Sequence, residues 1–379
     1  MTEKELREIK RRFRPEKSNI PKIVGCFVNS NKEIVANISQ SIEFSDSVVS
    51  EKLLAAMKRA LSGSLGTNLT DIEFSTKDVT DSEEHRLLMQ LRECRLQDND
   101  ILNSFYRRVI DALHFDTGYV ILLANDIYDV FSRGNDGEAA ESSERFSYIV
   151  CAICPVKNAP EALTFREADS LFHTESSSCL LTSAEVGFMF PAFDDRRTNI
   201  YGALYYTRST SESYTDFTEA VFGKEAPMPP KLQRATFNEA LADTLADECS
   251  FDVVRAVHRE LGELVDAHKE SKNPEQLTIT RATVESVLRG CGIGEEKVTA
   301  LGDALDESFG INAPLSPKNI ISTNKFELST PNVTVKVTPE GKELVSTRII
   351  DGVKYIMIRA DEGVELNGIN VKFDDFRKG

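Results

Sequence analysis

Apolar residues recur along this chain with two different periods, and each change of period marks an element. Leu6, Ile9 and Phe13, with Lys10 beside them, share one face at helical spacing. That pattern stops before Pro15, whose ring disfavours helix in the residue ahead of it. KIVGCFV and EIVANISQSI flank Asn29-Ser30-Asn31, so Ile20–Ile42 reads as a hairpin. Val49, Leu53, Leu54, Met57 and Leu61 predict a helix over Ser45–Leu61, and LTDIEFS alternates like a strand. Residues 79–95 and 98–113 return to helical spacing, the second with Ile101, Phe105, Val109, Ile110 and Leu113 on one face. TGYVILLAND and FSYIVCAICPV are strong strands, and the acidic RGNDGEAAESSE between them reads as an exposed loop. Another strand is predicted over Asn199–Thr207.

Beyond this point the pattern breaks. GKEAPMPPKL, residues 223–232, carries three prolines and is the best candidate boundary. Amphipathic runs at Phe237–Ala246 and Val253–Ala267 follow, then a helical pair, TITRATVESVLRG and EEKVTALGDALDESF, joined at Gly-Ile-Gly. From about residue 321 the period becomes two. KFELST, VTVKVT, LVSTRII, VKYIMIRA and INVKF are separated by turn signals, with Asp351-Gly352 and Asn367-Gly368 suited to type I′ turns. The expected fold class is α+β. It comprises an N-terminal mixed sheet with packed helices over 1–222, an acidic helical region over 231–310 and an antiparallel β meander over 321–379.

With 379 residues the chain can bury more than one core, and 41% hydrophobic with 28% charged residues excludes wholesale disorder. A formal charge of −16 argues against a general nucleic-acid binder, because phosphate contacts need a basic surface. No apolar run reaches the roughly 18–20 residues a bilayer requires. The charged N-terminus lacks the apolar core of a secretory signal. Seven scattered cysteines suit a reducing compartment, so a cytoplasmic protein is expected.

Chemistry concentrates in GFMFPAFDDRRTNIYGALYYTR. Asp194 and Asp195 can hold a divalent metal or act as acid and base, and Arg196 and Arg197 can clamp a phosphate or carboxylate. Neighbouring residues diverge on a strand or tight turn, however, so the favoured reading is a charged corner over packed phenylalanines. In that reading Asp194 or Asp195 caps the turn, and Phe188, Phe190 and Tyr205 join the core. Strand alternation puts Ile200, Ala203 and Tyr205 opposite Leu204 and Tyr206.

Other signals read structurally. Cys151 and Cys154, with His173 and Cys179 downstream, have the spacing of a zinc or redox half-site, but strand alternation sends the pair to opposite faces. Ser62-Gly63-Ser64-Leu65-Gly66-Thr67-Asn68 follows a helix and lacks the P-loop lysine, so Gly63 reads as a left-handed helix cap. The helical pair at 279–309 is too acidic for a DNA-reading helix. His85, after two glutamates, is expected to face solvent, and His258 and His268 fall on different faces of a helix. No metal site and no cofactor are assigned. The arm residues Arg7, Lys10, Arg11, Arg12 and Arg14, with Lys4, Lys17 and Lys22, are basic against an acidic remainder. They suit intramolecular or subunit docking, or contact with an acidic partner or RNA.

RRFRPEKSNI, KRALSGSLGTNL, FSYIVCAICPVK, FMFPAFDDRRTNIYGALYYTR, AHKESKNPEQLTIT and IRADEGVELNGINV resemble the family catalogued as domain of unknown function 4317, over nearly the whole chain. The resemblance implies a bacterial cytosolic protein and supplies no activity, cofactor or catalytic residue. The residues themselves favour a non-catalytic binding or regulatory protein with a protein partner or self-association, and no membrane. A metal-assisted hydrolase or phosphate-processing enzyme centred on Asp194 and Asp195 is one alternative. An RNA- or ribosome-associated factor using the basic arm is the other.

Overall fold

The predicted N-terminal helix forms as α1 (Glu3–Arg11), started by a reciprocal cap in which Thr2 Oγ1 accepts from the Glu5 amide and Glu5 accepts from the Thr2 amide. The computed structural model describes residues 1–133, 139–158, 162–175, 179–271, 273, 275–321, 326–361, 363–366 and 369–371. The chain divides into two units, Met1–Ala235 with Ser271–Thr278, and Thr236–Glu270 with Ile279–Gly379.

In the first unit α1 is followed by β1 (Lys22–Val28), β2 (Ile34–Ser41), α2 (Ser47–Arg59), β3 (Leu69–Glu73), α3 (Thr76–Asp81), α4 (Glu83–Glu93) and α5 (Asn99–Ala112). The long strands β4 (Tyr119–Arg133) and β5 (Ala139–Asn158) come next. Then come β6 (Ala162–Arg166), β7 (Leu171–Glu175), β8 (Cys179–Leu181), β9 (Val186–Phe190), β10 (Ala192–Asp194), β11 (Arg197–Asn199), β12 (Gly202–Thr207) and α6 (Thr215–Phe222). One sheet runs β2-β1-β4-β5-β9-β12-β3, with β8 on the end of β5, and every ladder in it is antiparallel.

Helices cover both faces of this sheet. One face packs Cys151, Ile153, Phe188, Phe190, Ala203 and Tyr205 against α4, α5 and α6. The other packs Cys154, Phe146, Tyr148, Phe193, Leu204 and Tyr206 beneath α1 and α2. Strands covered on both sides need no polar face, so YIVCAIC and VGFMF read as unbroken apolar runs. The expected alternation holds within β12, where Ala203 and Tyr205 lie opposite Leu204 and Tyr206, but Ile200 precedes the strand and belongs to neither core cluster.

Three expectations fail locally. β4 and β5 extend into the segment read as a loop and pair as far as Arg133 with Ala139, because backbone ladders form under polar side chains too. Residues 134–138, the centre of that predicted loop, lie outside the described residues. The strand predicted over Asn199–Thr207 is interrupted at Ile200–Tyr201, where the Asn199 side chain accepts from the Tyr201 amide at 3.0 Å and turns the chain. His85 is buried, at 2% exposed, instead of facing solvent. It lies one turn before Leu88 on the sheet-facing stripe of α4, edge-on to Phe74 and Phe190, with Nε2 2.9 Å from the Ile200 carbonyl.

The second unit contains most of α7 (Pro230–Leu245) and α8 (Phe251–Ser271), then α9 (Arg281–Gly290), α10 (Glu295–Phe309) and the short α11 (Pro317–Ile320). α9 and α10 form a packing hairpin, and its acids serve that packing. Arg281 of α9 reaches Asp303 at 2.8 Å and Asp306 at 2.7 Å on α10. Three hairpins follow: β13 (Phe326–Ser329) with β14 (Thr334–Val337), β15 (Val345–Ile350) with β16 (Val353–Ile358), and β17 (Val364–Leu366) with β18 (Ile369–Val371). Asp351 and Gly352, at φ 51° and 80°, make the two-residue turn predicted there. Asn367-Gly368 lies outside the described residues.

Candidate functional site

The charged corner is a two-residue hairpin. Asp194 pairs with Arg197 at the end of β10 and β11, leaving Asp195 (φ 50°) and Arg196 (φ 57°) as left-handed turn residues. Aspartate tolerates that conformation, but arginine adopts it rarely and needs outside contacts to hold it. α1 supplies them. The Arg196 amide donates to Glu5 Oε1 at 2.9 Å, and the Arg196 guanidinium reaches Glu8 Oε2 at 2.6 Å.

Glu5 is buried, and its other oxygen accepts from the Thr2 amide and hydroxyl at 2.8 Å each. The second Glu8 oxygen accepts from the Tyr128 hydroxyl. Asp194 lies 3.4 Å from the Met1 amino group and is half exposed. The turn is therefore capped by Glu5, a residue 191 positions away in sequence, and not by Asp194 or Asp195 as expected. In so tight a turn Asp194 is already paired with Arg197, and the Arg196 amide faces α1. Phe193 beneath the corner is buried against Phe146 and Tyr128, and Phe188, Phe190 and Tyr205 are core residues as expected.

The basic arm meets the same sheet face from its other side. Arg12 donates from Nε to Asp126 Oδ2 at 3.0 Å and from Nη2 to Oδ1 at 3.3 Å, and its guanidinium lies 5.2 Å from the Tyr128 ring centre. Asp126 is 1% exposed and accepts a third bond, from the Tyr148 hydroxyl across the β4–β5 ladder at 2.8 Å. Burial, with Asp126 beside it, pushes the Tyr148 phenol well above its ordinary value, so it stays protonated and donates. Arg7, Arg11 and Arg14 are exposed, whereas Lys10 is half-buried beside α2.

Two groups of residues that looked independent in the sequence, the corner and the arm, are thus parts of one contact between α1 and the sheet. The sequence residues 1–369 match the family described as Domain of unknown function (DUF4317). The chain belongs to the DUF4317 family. Comparison of this DUF4317 chain with curated proteins and with solved structures gives no match.

Glu5, Glu8, Asp126 and Tyr148 organise this contact in the DUF4317 chain, and none stood out in the sequence. Glu5 and Glu8 lie among the charged residues of the N-terminal helix, and Asp126 ends the apolar run TGYVILLAND, so nothing local marks them. Of the remaining candidates, Cys151 and Cys154 point to opposite faces of β5, and burial raises both thiols, Cys154 to about 12. Neither is a ready thiolate. His173 pairs with Asp169 at 2.7 Å, and Cys179 is exposed on β8. Among the described residues no group of three or more His, Cys, Asp or Glu side chains is placed to hold a metal ion. No helix among them is long and apolar enough to cross a membrane.

Proposed function

We propose that this DUF4317 protein works without catalysis, as a binding protein that captures an extended segment of a partner protein along its C-terminal hairpins. One observation carries the reading. β15 and β16 pair with each other alone among the described residues, and they leave Ile349, Ile350, Val353, Tyr355, Ile356 and Ile358 exposed. A lone two-stranded ribbon is marginal in water, and its outer edges offer unpaired backbone groups to an incoming strand. Arg348 and Lys354 lie on the same ribbon with no ion pair among the described residues. Arg348 sits beside Tyr355 on one face and Lys354 beside Ile349 on the other, so their charge suits a segment carrying apolar and acidic residues on both faces. The Asp194–Arg197 corner gives a hydrolytic reading no comparable support, because Glu5, Glu8 and Met1 engage its groups.

The test is fluorescence anisotropy of a labelled peptide repeating Val-Val-Glu-Glu, which puts both residue types on each face of a strand, titrated with the full chain at low salt. Saturable binding is expected, weakened by salt and at least tenfold by Arg348→Glu with Lys354→Glu. Absence of saturable binding, or turnover of a small molecule by the purified chain, would overturn the proposal.

A further inference from the structure

A pocket of about 400 Å³ opens between α1 and the end of α2, lined by Lys10, Ala55, Lys58, Arg59, Ser62 and Gly63. Three of its six lining residues are cations, in an acidic chain. Of the other half-buried cations of this unit, Arg12 has Asp126, Arg108 has Glu83 and Glu84, and Lys224 has Asp78, while Arg92 and Lys32 bond backbone carbonyls. Lys10, Lys58 and Arg59 make no ion pair among the described residues, in a chain whose formal charge is −16. Burial pushes the Lys10 amine down; Glu3 favours its charge and Lys58 opposes it more weakly.

The helix ends do not account for this charge. Lys10 lies in the last turn of α1, and Lys58 and Arg59 lie in the last turn of α2. Each helix C-terminus offsets about half a positive charge. Three cations against two such ends leave a surplus of about two charges, or about one if Glu3 is counted in full. A phosphate monoester carries about −1.5 to −2 at neutral pH.

The loop after α2 shapes the pocket floor. Ala60, Leu61 and Ser62 continue the helix in tight turns, and Gly63 then takes φ 85°. A side chain at Gly63 would also strike Asn68, whose amide ties the loop to the Thr207 carbonyl at 3.0 Å. Ser62 Oγ lies 2.7 Å from the Arg59 carbonyl and 3.2 Å from the Tyr206 hydroxyl, so a fixed hydroxyl stands at the pocket wall. Ligand pockets commonly span about 300–1,000 Å³, so this one has room for an organic group beyond a phosphate. Its lining offers one apolar side chain, Ala55, which suits a polar organic group.

We propose that this pocket binds the phosphate of a small, polar phosphate monoester, held by Lys10, Lys58 and Arg59. The site is separate from the hairpin of the preceding section, and either can fail alone. The test is calorimetric titration of the full chain with glucose 6-phosphate, glucose, inorganic phosphate and vesicles containing phosphatidic acid. The sugar phosphate is expected to bind with a submillimolar constant, glucose not at all, and inorganic phosphate and the vesicles at least tenfold more weakly. Lys10→Met, which keeps the aliphatic stem, should weaken binding of the sugar phosphate at least tenfold while leaving the melting temperature unchanged or higher. A purely structural Lys10 would instead lower it. No binding at millimolar ester, binding unchanged in both Lys10→Met and Lys58→Met, or equal or tighter binding of inorganic phosphate or vesicles would each overturn the assignment.

Discussion

Replacing Arg12 by methionine removes the guanidinium from Asp126 while keeping most of the side-chain stem. The carboxylate it leaves behind is 1% exposed and retains a donor in the Tyr148 hydroxyl. Stranding one member of a buried ion pair costs about 3–5 kcal/mol. Arg12 itself is 14% exposed, which admits some water and places the cost near the lower end, about 3 kcal/mol. Loss of the contact with the Tyr128 ring adds about 0.5–1 kcal/mol. For a unit of this size each kcal/mol lowers the melting temperature by about 2–4 °C, so Arg12→Met should melt about 7–16 °C below the parent.

Circular dichroism melts of parent, Arg12→Met, Asp126→Asn and the double variant measure this directly. The double variant strands no charge, so it should recover about 1–3 kcal/mol relative to the sum of the two single changes. If Arg12→Met melts within a degree of the parent, or the two changes simply add, α1 is not anchored through Asp126 and the account of the arm is wrong.

Two further outcomes follow from other contacts. Lys224 Nζ, 2.5 Å from Asp78, and the hydroxyl and amide of Ser75 hold the Asp78 carboxyl well below its ordinary 3.8. A depressed carboxyl stabilises the fold above its unfolded value and loses that contribution as pH falls through the folded one. The melting-temperature gap between parent and Asp78→Asn should therefore be open at pH 7 and narrow below pH 3.8; a gap of equal size at pH 7 and pH 2 would refute the pairing. Gly187→Ala would place a Cβ 2.5 Å from the Cys151 carbonyl oxygen and 2.7 Å from Ala60 Cβ, where β9 passes beneath the end of α2. Overpacking of that kind costs about 1–3 kcal/mol, and a thermal melt unchanged from the parent would show that α2 does not lie so close.

What could be read from the sequence is what depends on short spacing. The face of α1 carrying Leu6, Ile9 and Phe13, the opposite directions of Cys151 and Cys154, and the left-handed Gly63 and Asp351-Gly352 are local consequences of period or turn chemistry. What escaped depends on partners far along the chain. His85 looks like a solvent-facing residue until Phe74 and Phe190 close around it and the Ile200 carbonyl takes its ring nitrogen. β6, β7 and β8 escaped for another reason. Their apolar residues Leu163, Phe165, Phe172 and Leu180 stay exposed, so burial imposes no alternation on ALTFR, LFHTE or CLL.

The charged segments show how little linear charge density says about surface. The first 22 residues gather eight cations, which along a line look like an arm for RNA or an acidic partner. Folded as a helix with its apolar face on the sheet, the segment divides them. Arg12 turns inward to a buried carboxylate, Lys10 faces the end of α2, and Arg7, Arg11 and Arg14 stay outside. The acids divide as well, with Glu5 and Glu8 turned onto the Asp195-Arg196 turn. A helix about 5 Å per turn cannot aim all its charges at one ligand while its apolar stripe is fixed against a core. The corner at 194–197 obeys the same limit: a two-residue turn between paired strands separates its four charges, and α1 fills the space above them. In both places backbone geometry decides first which groups can converge. In this unit the unpaired cations that do converge come from two different helices, Lys10 from one and Lys58 with Arg59 from the other.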